Sequence, residues 1–316
     1  MIKKFHKFLP LILIAIGGCD NDDSGGLADD PIPENVSDER SLYQVSTLTT
    51  SFSGSGGLTV DEGGFIYVAD FGDFINNANG IKVSKVDPNT GDVTDFATGL
   101  EGPSGNAFGA DGNLYQANIA GNTISKISPQ GAVSEFISVG LSSPVGVAFD
   151  ANDNLYVCNC GGRSIRKVAS DGTSSTLTNS SLLNCPNGLT IDDDGNLYVA
   201  NFNNNTIVKV SPNGNAEIFV SLPGRGNSHL IFKDGVIYAL SRAGNRLYKV
   251  SLSGEISLIA GTGASGNDDG SGEVASFYIP NGIGVNREGS QIYVVSRVVG
   301  TGTPLNPVVV RVVELK

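Results

Sequence analysis

Few side chains in this sequence could do acid–base or nucleophilic chemistry, and they are scattered. His229 is the one histidine outside the first seven residues. A neutral imidazole near pH 7 suits proton transfer, so His229 is a candidate general base; the competing reading is a side chain that caps or lines a channel. A three-histidine zinc site is excluded by count, since His6 is the only other histidine. Two asparagines recur in one setting, Pro186-Asn187-Gly188 and Pro280-Asn281-Gly282, and offer amide groups to a polar ligand. The stretch Asp70 to Gly80, with Asp73 inside it, is rich in oxygen donors and carries two phenylalanines. It reads as a loop that could meet a cation, a glycan or a partner surface. Beyond Cys19 the thiols are Cys158, Cys160 and Cys185. Nucleophilic use of any of them needs an activating histidine, which no adjoining segment supplies.

What positions these residues is a repeat. An apolar-Tyr-apolar strand follows an Asp-Gly or similar turn in Phe65-Ile66-Tyr67-Val68, Asn113-Leu114-Tyr115-Gln116 and Asn154-Leu155-Tyr156-Val157. It returns in Asn196-Leu197-Tyr198-Val199, Val236-Ile237-Tyr238-Ala239 and Gln291-Ile292-Tyr293-Val294. The tyrosines are 48, 41, 42, 40 and 55 residues apart. A period near 40 without helical periodicity is that of propeller blades, each a four-stranded antiparallel sheet. The 42 glycines and many β-branched residues fit short strands joined by tight turns. The expected fold is therefore all-β: a six-bladed β-propeller over residues 41–316. Its last copy stops at a third strand near Val309–Val313. Val45-Ser46-Thr47-Leu48 matches the fourth-strand pattern of Val133-Ser134-Glu135-Phe136, so an N-terminal strand should complete the last blade and cover its open edge.

In such a ring the starts of the innermost strands share one face with the loops between second and third strands, and ligands usually sit at that mouth. The mouth is expected to carry Gly56, Ser104, Val145, Asn187, Ser228 and Asn281. The loops add Asp73, Arg163, Arg242 and the segment from Arg297 to Asn306. The ligand-binding candidates are thus Asn187, Asn281, Ser104, Arg163, Arg242 and Asp73. Asp70, Asn118, Asn159 and Asn201 end second strands in register and are expected to brace local backbone. Cys160 and Cys185 fall in neighbouring mouth-side positions of blades three and four, so they are the expected disulfide, with Cys158 a buried thiol.

The first 18 residues read as a signal peptide: Lys3, Lys4 and Lys7, then the apolar run Phe8 to Ile16, too short to span a bilayer. Ile16-Gly17-Gly18-Cys19 resembles a bacterial lipobox, which implies lipidation at Cys19. Residues 19–40 are acidic and poor in large apolar groups, so they are expected to be a flexible tether. Asp20-Asn21-Asp22-Asp23 resembles the acidic export signal of some Bacteroidetes surface lipoproteins. The implied address is the bacterial cell envelope, anchored by lipid in the outer membrane and facing the periplasm or the cell surface. Formal net charge is −12, and 24 acids still face 16 bases once leader and tether are removed. Such a body disfavours nucleic acid. A monomer is expected.

The repeats resemble the NHL family, best in Gly261 to Phe277 followed by Pro280-Asn281-Gly282-Ile283, and the likeness runs over roughly residues 43–316. The wider six-bladed group, SMP-30/gluconolactonase-like and TolB-like, is similar too. Lactonases of that group hold one calcium with a Glu, two Asn and an Asp at the mouth. The resemblance puts Asn187 and Asn281 forward as metal ligands, but Ser104 rather than Glu101 aligns at the mouth and no Asp aligns in blade five. Because fold alone does not choose a function, three readings follow. One is a binding module for a small polar ligand, a glycan or a protein. Another is a calcium-dependent hydrolase of lactones or esters, and the last is an envelope scaffold.

Overall fold

The computed structural model describes residues 32–316 except 225, 301 and 303. The expected leader, Cys19 and most of the expected tether lie outside the described residues. Six sheets follow one another along the chain, each antiparallel over four strands. Blade two shows the pattern: innermost strand Pro103–Phe108, then Leu114–Asn118, Thr123–Ile127 and Val133–Ile137 outward. Burial falls in the same order, from a fully buried second strand to a mostly exposed fourth. This is why the second strands read as unbroken apolar runs and the fourth as alternations.

The ring closes as expected. Tyr43–Thr47 pairs antiparallel with Val308–Leu315, from Tyr43 opposite Leu315 to Thr47 opposite Arg311. Val45 is wholly buried between blades. The expected tether needs a correction at its far end. Val36–Asp38 adds a fifth strand to blade five, parallel to Ile256–Ala260. Val36 sinks into the apolar cluster between blades four and five, and Glu39 pairs with Lys249. An open sheet edge and one buried valine are enough to dock a segment whose composition is that of a linker. Residues 36–38, placed in the expected tether, are thus part of blade five.

The repeated tyrosines fix both the turns and the blade-to-blade contacts. Tyr67, Tyr115, Tyr156 and Tyr198 each donate the hydroxyl to the aspartate of the preceding turn, Asp61, Asp111, Asp150 and Asp192, at 2.9–3.2 Å. Tyr67 also meets Phe108 of the next blade edge to face at 5.1 Å, and Tyr115 meets Phe149 at 4.9 Å. Blades one and two therefore each pack on the next blade through an aromatic whose polar end is satisfied within its own blade.

Candidate functional site

The narrowest part of the ring is set by the residue after each mouth position. Five blades place glycine there, Gly57, Gly105, Gly146, Gly188 and Gly282, and blade five places His229. A Cβ on Gly146 would meet the Asn187 carbonyl oxygen at 2.1 Å, and one on Gly282 the Gly56 carbonyl oxygen at 2.7 Å. These backbones approach too closely for any side chain. The imidazole of His229 crosses the space they leave: its Cε1 would stand 3.0 Å from a Cβ on Gly57 and 3.2 Å from one on Gly105. His229 is 8% exposed, and its Nε2 is buried without a hydrogen-bond partner. Burial alone lowers its pKa to about 4, so the ring is neutral at physiological pH.

His229 separates two cavities. The inner one, about 350 Å³, is lined by His229 and by the innermost strands, among them Thr59, Asn106, Phe149 and Thr190. The mouth cavity, about 690 Å³, lies on the side of the loops. It gathers five of the six sequence candidates for ligand binding: Ser104, Arg163, Asn187, Arg242 and Asn281. Asp73 does not line it. Its backbone instead joins two loops, with the N–H donating to Asn79 Oδ1 and the carbonyl accepting from the Leu305 N–H. Gly56 and Ser228 are also set back, Ser228 donating its hydroxyl to the Pro280 carbonyl oxygen at 3.2 Å.

The polar groups of the mouth are held by local structure. Asn281 donates Nδ2 to the Ser55 carbonyl oxygen at 2.7 Å, whereas Asn187 keeps a buried Oδ1 without a partner. Arg163 has a left-handed φ of 46° and donates Nε to the Leu183 carbonyl oxygen at 2.9 Å. The loop that carries it is tied to blade four by a disulfide between Cys160 and Cys185. Cys158 is a free thiol, fully buried, with its pKa pushed up by that burial. The register asparagines brace the segments that enter each blade: Asn201 accepts from the Asn184 N–H at 2.8 Å and donates to the Leu182 carbonyl oxygen at 2.9 Å. Asn159 does the same with Ser142 and Gly140.

Sequence reasoning placed Arg297 only as the start of a mouth-side segment and not among the ligand-binding candidates; it ends the second strand of blade six. It is 5% exposed and lines the mouth. Its Nη1 donates to the Tyr278 hydroxyl at 3.1 Å and its guanidinium lies 4.7 Å from that ring's centre. Its Nε and Nη2 are buried and unpartnered. The apolar wall was also unforeseen in detail: Phe71, Ile75, Ile119, Phe202 and Leu305. Of the two phenylalanines in the loop after Asp70, Phe71 turns inward and Phe74 stays exposed.

No carboxylate side chain lines either cavity among the described residues, and three arginines line the mouth. A divalent cation bound through oxygen ligands needs the opposite field, so the amides of Asn187 and Asn281 do not make a calcium site here. Residues 46–263 match the family model of the virginiamycin B lyase family. The chain belongs to that family. No curated protein sequence matches it significantly. Among solved structures it resembles a catalytically inactive histidine-to-alanine variant of virginiamycin B lyase from Staphylococcus aureus with quinupristin, at 17% identity, TM-score 0.59, and 87% and 100% of the two chains covered. A gluconolactonase from Xanthomonas campestris superposes at 14% identity, TM-score 0.67, over 87% and 90%. An auxiliary nutrient binding protein from Bacteroides thetaiotaomicron does so at 13%, TM-score 0.68, over 86% and 76%. At such identities these likenesses establish the six-bladed fold, shared within and beyond the family by lyases, hydrolases and binding proteins.

Proposed function

We propose that this member of the family is a binding protein that takes one small organic ligand in the mouth cavity. The observation that carries the reading is the cavity itself. It has room for a drug-sized molecule, apolar walls from four blades, and a few converging polar groups on rigid strand ends. The lyase and hydrolase reading draws on the family and on His229. It is weakened by the position of that imidazole, below the mouth, and by the lack of a carboxylate beside it to serve as orienter, acid or metal ligand. A thermal-shift screen against metabolites, with Asn203→Trp as a rim block, tests the proposal. Asn203 is exposed at the cavity edge, so the indole should obstruct entry without unfolding the chain. Hits that vanish in Asn203→Trp are expected. Turnover of a lactone or of quinupristin by the native protein, abolished in His229→Gln, would replace binding with catalysis.

We propose further that Cys19 is lipidated and holds this cavity at the cell envelope. The lipobox-like sequence and a disulfide suited to an oxidising compartment support that address. Metabolic labelling with a fatty-acid probe should mark the native chain and spare Cys19→Ala.

A further inference from the structure

We infer that the mouth selects organic carboxylates, bound by the Nε–Nη2 edge of Arg297 with an apolar body packed on Phe71, Phe202 and Leu305. The inference rests on the mouth being a binding cavity and names its ligand class. Four observations carry it. Arg297 is 5% exposed, yet Nε and Nη2 have no partner, while Nη1 is engaged by Tyr278. A buried guanidinium with two idle donors is costly to leave unmet, more so where the surroundings are apolar. Those two nitrogens form one edge of the guanidinium, and their parallel N–H groups match the two oxygens of a carboxylate. Tyr278, through its hydroxyl and its ring face, fixes the plane of the guanidinium before any ligand arrives. None of the ion pairs formed among the described residues involves Arg297, so no internal acid competes for it.

The field around the cavity agrees. The body of the protein carries an excess of acids, yet the mouth is lined by Arg163, Arg242 and Arg297 without one Asp or Glu side chain. Arg163 spends its Nε on the Leu183 carbonyl, and Arg242 lies 5.5 Å from the Phe202 ring centre, so these two shape the cationic rim while Arg297 is the group prepared for direct contact. A free inorganic anion would satisfy the edge but leave the apolar wall wet. A ligand that joins a carboxylate to a ring-sized hydrocarbon body meets both demands.

The test uses the folded chain and a matched pair of probes, 2-naphthoate and its neutral isostere 2-naphthamide, measured by isothermal titration at pH 7.5. Naphthoate should bind on the order of tenfold more tightly than the amide. Arg297→Met should erase that preference by weakening naphthoate alone. Arg297→Lys, which keeps the charge without the fork and guards against a folding defect in the first variant, should retain part of it. Circular dichroism confirms the fold of each. Equal binding of the two probes by the native protein, no binding of either, or a preference untouched by Arg297→Met would overturn the inference. The outcome is separable from the broader reading: metabolite hits lost in Asn203→Trp, with no carboxylate preference, would leave the binding cavity standing and remove only its proposed ligand class.

Discussion

Gly57 and His229 meet at the centre of the ring, so close that a Cβ on the glycine would stand 3.0 Å from Cε1 of the imidazole. They belong to blades one and five, and neither would be paired with the other from the chain order. Their contact couples two distant innermost strands. Gly57→Ala should therefore destabilise the protein by about 1–3 kcal/mol, the usual cost of overpacking. His229→Ala on the same chain should recover part of that cost, although the Gly105 backbone, also 3.0 Å from the added carbon, keeps the recovery incomplete. Urea unfolding of the four proteins in the cycle reads the coupling. Strictly additive costs would show that the two residues do not share the space.

The same imidazole should make the fold acid-sensitive. Burial holds the folded pKa near 4, below the ordinary histidine value. Below pH 6.5 the unfolded chain takes up a proton that the folded chain refuses, so stability falls as the pH drops from about 6.5 to about 4 and then levels off. The full loss is on the order of 3 kcal/mol. Carboxylates titrate in the same range, so the useful quantity is the difference between native protein and His229→Gln. That difference should shrink progressively as the pH is lowered through the window. A difference independent of pH would mean that the ring is not buried as a neutral group.

The blades were legible because each states its own physics: a turn aspartate, an apolar strand around one tyrosine, and an outer strand of alternating pattern. The closing strand Tyr43–Thr47 was legible for the same reason. Val36–Asp38 was not, since three residues carry no periodicity and their partner is an edge that appears only once blade five exists. The ring positions Ser104, Asn187 and Asn281 followed from repeat register. The mouth-side place of Arg297 followed too, but not its role, because what distinguishes it is a missing partner, and that is a property of the folded neighbourhood rather than of the strand. His229 was visible as a singular residue, but its place at the waist depends on five glycines in other blades.

Arg311 interrupts the apolar run from Val308 to Val313 and is wholly buried. It is reached by the insertion before blade six: its Nη1 donates to the Ser276 carbonyl, and its Nη2 to the Asp268 carbonyl and Asp269 Oδ1, all at 2.8 Å. Asp269 is half-exposed and can rehydrate, so the pair itself is worth little, but the carbonyl of buried Ser276 cannot. Arg311→Met should cost about 2–4 kcal/mol and expose the segment from Gly263 to Ser276 to proteolysis. Native-like stability with unchanged cleavage in that segment would show that the insertion is held by its other contacts.

The disulfide between Cys160 and Cys185 spans 25 residues and links the loop of blade three to the entry of blade four. Opening it should cost about 3 kcal/mol through the entropy returned to the unfolded chain. Function should suffer as well, because Arg163, three residues beyond Cys160, leans on the Leu183 carbonyl, two residues before Cys185. The double variant Cys160→Ser, Cys185→Ser should lower the denaturation midpoint and weaken ligands of the mouth more than ligands of the inner cavity. Cys158 gives the internal control. Its thiol is sealed between blades, with a pKa raised by burial, so it is neither ionised nor reachable in the folded chain. Gentle reduction followed by alkylation under native conditions should label Cys160 and Cys185, both partly exposed, and leave Cys158 unmodified until denaturant is added. Mass mapping that found Cys158 alkylated in step with the other two would mean that blades three and four part in the folded state, and the rigid mouth argued from their contact would go with them.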